Sequence, residues 1–303
     1  RIAYRNPAAM LAPRNATQEG IDAVTRALRL DEPWYLQLWY YLFRGPDIQG
    51  APMGLMHWPP ALGYSFRKQA PVTDLILAKA PVTLSLAFGA LVIWMTIAVI
   101  SGVAAARWQG RFVDHVLAFF AYVGLSVPTF LSGILISYFL FFQLSNHGIF
   151  WFPSSGYVPL SEDPLQWARY LALPWATLAI AEIGIFQRMV RASMLDVLGH
   201  DFIRTARAKG VPEWRVYFSH ALKSALNPIL TLGGLELAAI MGGAIVTETI
   251  FGLDGVGRLA ISAALEGDFP VVIGTTIFAA SAFITTTLAV DLFAQWRDPA
   301  NRK

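Results

Sequence analysis

The 303-residue chain has no cysteine, and only 14% of its residues are charged, where a soluble domain usually carries about 25%. The first absence excludes disulfide frameworks, cysteine-based zinc sites and thiol catalysis. The second means that much of the surface faces something other than water. Catalytic signatures are missing too. His57, His115, His147, His200 and His220 are scattered, with no His-Glu-x-x-His or Gly-x-Ser-x-Gly pattern among them. No catalytic residue and no metal site is read from the sequence. There is no Walker A sequence, and Gly252, Gly255 and Gly257 follow no strand and form no Gly-x-Gly-x-x-Gly. If ATP drives this protein, a separate chain binds it. No apolar run stands at the start of the sequence, which opens on Arg1, so neither a signal peptide nor a first anchoring helix is read there.

What is present is apolar sequence, 55% of the chain, gathered into runs long enough to cross a hydrocarbon core that needs about 20 helical residues. Five spans are expected, at 81–106, 116–143, 171–188, 227–249 and 270–295. Pro128 should bend the second. In the fourth, Gly234, Ala238 and Gly242 repeat at i, i+4 and i+8 with Ala239 and Gly243 beside them, a stripe that lets helices approach closely. The stripe alone implies packing, not a pathway. Residues 1–79 hold nothing that spans. Ile21, Val24 and Leu28 at helical spacing follow a cap at Asn15 or Thr17, and Trp34, Leu38, Tyr41 and Leu42 follow Asp31 and Pro33. Two short amphipathic helices are predicted there, then an irregular Pro- and Gly-rich loop from Gly45 to Gly63.

Orientation follows from the basic residues of the short loops. Segments 107–115, 188–223 and 296–303 hold two, seven and three Lys or Arg, whereas 144–169 and 250–269 hold one each. This bias puts loop 189–225 and the C-terminus in the cytoplasm and residues 1–79 outside. A sixth helix before Arg1 would bring both ends of the intact protein inside.

The most informative stretch is that inner loop, Asp201-Phe-Ile-Arg-Thr-Ala-Arg-Ala-Lys-Gly210 followed by Val-Pro-Glu-Trp-Arg-Val-Tyr-Phe-Ser-His-Ala-Leu-Lys. Gly210 is a natural helix stop and Pro212 a natural first-turn residue. The second helix should place Trp214, Phe218, Ala221, Leu222 and Ala225 on one face and Arg215, Ser219 and Lys223 on the other. Such a basic pair also suits a lipid surface, a purely topological role, or a helix-turn-helix. Nucleic acid is a poor partner, because the element is held between two spans without a soluble domain.

Arg204-Thr-Ala206, then Gly210 at the expected interval, then His220-Ala-Leu222, resembles the cytoplasmic EAA loop of binding-protein-dependent ABC importer permeases. Arg204 and Lys223 stand where the general pattern has Glu and Pro, as is common in the peptide branch. The run DFIRTARAKG is similar to the first permease subunit of dipeptide, oligopeptide and nickel importers. LGYSFRKQAPVTDLI, SVPTFLSGILI, LPWATLAI, ETIFGLDGVGRL and DFPVV extend the resemblance over most of the chain. Two departures lie outside the membrane: Asp254 where Pro is frequent, and a long stretch from Gly45 to Ala61.

The resemblance implies an all-α, MetI-like permease bundle at residues 80–303, in the bacterial inner membrane, behind an external segment at 1–79. It makes Asp201, Arg204, Thr205, Ala206, Lys209, Gly210, Trp214, Phe218, His220 and Leu222 the coupling helices that dock on a cytoplasmic ATPase. The implied partners are a second, homologous permease subunit, two ATPase subunits holding ATP and Mg, an external solute-binding protein, and a peptide as solute. Inside the spans, Glu182 and Glu236 are costly charges that usually face a cavity or a partner. With Glu248 they are the pathway candidates. The competing reading is a secondary transporter in which Glu182 or Glu236 carries protons. Repeated halves with broken helices would favour it, and none is detected in the sequence.

Overall fold

In the computed structural model, the described residues are 8, 17–45, 54–57, 60–153, 155–241 and 244–297. Asn15, Gly242, Gly243, Arg302, Lys303 and most of the Gly45–Ala61 stretch lie outside them. The chain divides into two compact units.

The first unit comprises Arg1–Thr83 with Asp254–Ser281. Helix α1 (Gln18–Leu28) starts where the Thr17 hydroxyl accepts from Gly20 N, so of the two expected caps the described one is Thr17. Helix α2 (Trp34–Phe43) follows Pro33. It was expected to be amphipathic, yet it buries none of its residues. A short antiparallel hairpin, β1 (Tyr64–Ser65) with β2 (Ala70–Pro71), leads directly into α3 (Val72–Arg107). Helix α3 therefore begins before the expected start at residue 81, with Pro81 inside it. Its 36 residues reach about 54 Å, well beyond the roughly 30 Å hydrocarbon core. The expected range marks the uninterrupted apolar run, and Asp74 and Lys79 interrupt it before Pro81 while the helix itself continues through them.

Helix α10 (Val256–Glu266) and the start of α11 (Phe269–Arg297) complete this unit. Val72, Ile76, Ala80, Val256, Leu259, Ala263 and Val271 form its core. Buried polar contacts lock the loops to it. Ser65 Oγ donates to Asp268 Oδ2 at 2.5 Å, Lys68 N donates to Ser65 Oγ at 3.0 Å, and Val256 N donates to Thr83 Oγ1 at 2.9 Å. Asp254, the departure from the family pattern, pairs with Lys79.

The second unit comprises Leu84–Leu253 with Ala282–Lys303. The expected span at 116–143 is not one bent helix. Helix α4 (Phe112–Ser126) ends at an extended Val127, and Pro128 opens α5 (Thr129–Asn146), whose middle Ser137–Gln143 is π-helical. Proline disfavours the helical conformation in the residue before it, and here that residue leaves the helix altogether. Helix α6 (Pro164–Leu198) is longer than the expected span at both ends. Its Asp163 cap accepts from Leu165 N and Gln166 N at 2.9 and 3.0 Å with Pro164 at the first position. Helices α4 and α6 pack backbone to backbone. A Cβ on Gly184 would stand 2.4 Å from Ala121 O, and one on Gly124 2.7 Å from Ile180 O.

After α7 (Asp201–Ala208), helix α8 runs from Glu213 through a π-helical turn at Val216–Ala221 to Met241. It bends by 57° between Leu226 and Pro228, and α9 (Ile245–Ile250) follows as a separate piece. Of the small-residue stripe, Ala238 is buried, and a Cβ on Gly234 would collide with Val290 on α11. Helices α3, α5, α6 and α11 are each long and apolar enough to cross a membrane, and the bent α8 makes a fifth.

Candidate functional site

The bent pair formed by α7 and the start of α8 is where the sequence concentrates charge and aromatic residues outside the spans. Helix α7 ends in a Schellman turn: Gly210 adopts φ +73°, its N–H donates to Arg207 O at 2.9 Å, and Val211 N donates to Ala206 O at 3.2 Å. Only glycine takes this conformation without steric cost. Pro212 then caps α8. Across the turn, Arg207 Nε and Nη2 donate to the two carboxylate oxygens of Glu213 at 2.9 and 3.3 Å. This fork links the two helices directly, and Glu213 holds the Arg207 guanidinium above its usual pKa.

The two faces of the pair differ. Ile203, Ala206, Val216, Tyr217, Ala221 and Ala225 are buried and anchor it. Phe202, Trp214 and Phe218 stand outward at 44%, 56% and 49% exposure. The predicted apolar face, which grouped Trp214 and Phe218 with Ala221 and Ala225, is therefore split. The π-helical turn at Val216–Ala221 adds a residue to the turn, and side chains past it shift in register. Arg107 at the end of α3 sits 5.9 Å from the Tyr217 ring, at the edge of cation–π range, and ties the element to a neighbouring span.

The other expected residues of the loop have plainer surroundings. Thr205 Oγ1 donates to Asp201 O at 3.0 Å, and Arg204 reaches Asp201 at 3.3 Å on an open surface. Lys209 and His220 are exposed, and Leu222 is half-buried.

Among the pathway candidates, Glu182 on α6 buries Oε2 with no hydrogen-bond partner among the described residues. Glu236 on α8 is half-buried. Helices α6 and α8, which carry these two carboxyls, pack against each other. Glu248 is fully buried in α9, with its backbone carbonyl accepting from Leu253 N at 2.8 Å.

Sequence reasoning missed a polar cluster between α4 and α6. Arg191 Nε and Nη2 donate to the two oxygens of Asp114, both at 2.7 Å, and Asp114 also accepts from Gly110 N at 2.9 Å. Gln187 buries its amide beside them with no side-chain partner among the described residues. Arg191 had been counted only as a loop charge. Asp114, the one carboxylate of segment 107–115, was the signal that could have exposed the pair.

Comparison with known proteins fits this geometry. Residues 96–303 match the family described as binding-protein-dependent transport system inner membrane component, and residues 2–87 match the N-terminal region of the same membrane components. A peptide transport system permease protein of Brucella abortus (strain 2308) is 38% identical over 98% of this chain and 89% of its own length. A D,D-dipeptide transport system permease protein of Escherichia coli (strain K12) is 33% identical over 97% and 88%. An oligopeptide transport system permease protein of Bacillus subtilis (strain 168) is 32% identical over 99% and 90%. Among solved structures, an inward-facing MetNI methionine ABC transporter matches with TM-score 0.59 and 16% identity, over 75% of this chain and 97% of that one. That likeness shows the fold.

Proposed function

The chain belongs to the family of binding-protein-dependent transport system inner membrane components, and from that premise we propose that its α7–α8 turn is the handle through which an ATPase moves the spans. It is a multi-pass permease subunit of the ABC importer type. The proposed assembly adds a second, homologous permease, two cytoplasmic ATPase subunits that bind ATP and Mg, and an external solute-binding protein. The proposed solute is a peptide, as the names of the relatives suggest. Loop 189–225 and the C-terminus lie in the cytoplasm and residues 1–79 outside, by the excess of basic residues in alternate loops.

One observation carries the reading: a stiff helical corner, anchored by six buried side chains, holds Phe202, Trp214 and Phe218 out toward solvent. Aromatic side chains exposed on a rigid, charged element fit a protein groove. Because α6 precedes the corner and α8 continues from it, closure of an ATPase dimer around it would reorient both helices. Each nucleotide state must then favour a different arrangement of the spans. Glu182 and Glu236 lie on those same two helices and form the proposed polar patch of the pathway. The relatives lend no support to a proton-coupled carrier.

The test is co-purification. The native permease pair should retain its ATPase through detergent extraction and lose it when Trp214 and Phe218 are both replaced by Ala. Since the chain has no cysteine, a single Ser219→Cys is a unique label. Its modification from the cytoplasmic side alone is the expected result, and modification from outside alone overturns the reading.

A further inference from the structure

Helix α2 reads Trp-Tyr-Leu-Gln-Leu-Trp-Tyr-Tyr-Leu-Phe, and its amphipathicity is inverted. The one side chain without an apolar body, Gln37, turns inward, where Nε2 donates to Glu32 O at 2.7 Å and to Leu30 O at 3.4 Å. Trp34 is 75% exposed, and Tyr35, Leu36, Leu38, Trp39 and Phe43 are also exposed. Water penalises such a face, whereas Trp and Tyr concentrate at the boundary between lipid and water.

The position of α2 agrees. Behind it lies an almost wholly apolar cavity of about 440 Å³, lined on one side by Trp34, Leu38 and Tyr41 and on the other by Phe269, Pro270 and Ile273. Those last three lie in the first two turns of α11, where a candidate membrane span begins. The helix therefore shares a cavity with the start of a helix that is long and apolar enough to cross a membrane, where lipid headgroups meet such a span. Arg29 also lines the cavity, over the Tyr40 ring at 3.9 Å and 3.2 Å from Glu32. Tyr41 Oη is buried with no hydrogen-bond partner among the described residues, a costly state that an acceptor on a ligand would relieve.

We propose that α2 and the cavity behind it hold a membrane phospholipid, with an acyl chain in the cavity, an ester carbonyl accepting from Tyr41 Oη, and the headgroup phosphate at Arg29. The apolar lining suits the chain, the orphan hydroxyl suits the glycerol ester level, and the Arg29 guanidinium, which also pairs with Glu32, lines the same cavity. The site assigns an anchoring role to residues that precede the first described span. That the lipid comes from the outer leaflet rests on the orientation proposed above; the binding itself does not.

The assembled transporter in nanodiscs of phosphatidylethanolamine and phosphatidylglycerol supplies the test, with a photoactivatable phosphatidylethanolamine carrying a diazirine at the acyl end. Crosslinks should concentrate in residues 27–45 and 269–273. Ala27→Phe, which narrows the cavity, should cut them about tenfold or more, while crosslinks to the exposed Phe139 and Ile284 stay unchanged. Tyr41→Phe and Arg29→Gln, which leave the cavity open, should each weaken them less. Equal crosslinking in Ala27→Phe and the native protein overturns the proposal, as does labelling of this surface by an added solute-binding protein where lipid labels nothing. A separate Asp31→Cys variant reads sidedness. Modification from the cytoplasm alone, with the crosslinks intact, sinks the orientation and leaves the lipid site standing.

Discussion

Two short elements of this chain expose aromatic side chains, and they differ in what surrounds those rings. The corner at residues 201–215 sets Phe202 and Trp214 among Asp201, Arg204, Arg207, Lys209, Glu213 and Arg215, and Phe218 follows at once. Helix α2 carries no charge at all between Trp34 and Phe43. Rings spaced among charges belong to a surface that is wet until a protein partner covers it, because the charges keep the uncovered state soluble. Rings without charges, backed by an apolar cavity shared with the start of a candidate span, belong to lipid. Exposure alone would have put the two in one class. The charge between the rings separates them.

The sharpest way to break this contrast is at Gly210. Holding a β-branched residue there in the left-handed region costs about 1–2 kcal/mol, which a change of backbone angle relieves, although nothing lies within 4 Å of where its Cβ would sit. Gly210→Val should therefore re-aim α7 against α8 and abolish ATPase retention and ATP-driven uptake, while Gly210→Asn, which tolerates positive φ, should keep a large part of both. Loss in both variants to the same degree would mean that the backbone angle is not what matters.

Next in size is truncation of the outward rings. Trp214→Ala and Phe218→Ala should each weaken binding of the ATPase by about 2 kcal/mol, roughly thirtyfold, if they are anchor residues. Expression and thermal stability of the permease should barely change, since both side chains are exposed. The matching change in α2, Leu38→Lys, should leave ATPase binding alone and instead loosen lipid retention, by about 1 kcal/mol for a charge that can snorkel at the interface. Crossed outcomes, with Leu38→Lys releasing the ATPase or Trp214→Ala releasing lipid, would erase the distinction.

The sequence made the corner legible because its signals are local. Gly210 and Pro212 punctuate the chain whatever packs around them, and the apolar runs of α3, α6 and α11 declare themselves by length. Three features could not be read that way. The π-helical turn at Val216–Ala221 depends on tertiary packing and shifts the side chains after it, so Trp214 and Phe218 were grouped with Ala221 and Ala225 on one face. The pairing of Asp114 with Arg191 joins residues 77 positions apart, and no window of sequence contains both. The inverted face of α2 is illegible because nine of its ten residues have apolar bodies, and periodicity needs contrast. Glu182 and Glu236 are each legible as charges in apolar runs, whereas the packing of α6 on α8, which carry them, is not.

The smallest expected effect tests whether the corner is stiffened by its sequence or by its charges. Arg207 and Glu213 form a forked pair across the Gly210 turn, yet their side chains are 39% and 50% exposed, and pairs this open typically contribute under about 1 kcal/mol. If the Schellman turn and the buried anchors Ile203, Ala206 and Val216 already fix the angle, Arg207→Gln should lower ATPase affinity only two- to threefold, about 0.5 kcal/mol. Added salt should erase the difference between variant and native protein, because screening weakens an exposed pair and leaves the backbone turn untouched. A loss as large as that of Gly210→Val, persisting in high salt, would move the origin of the corner's rigidity from the glycine to the ion pair. It would also make the charges of this element structural as well as solvating, which is the one property that α2, with none, could not share.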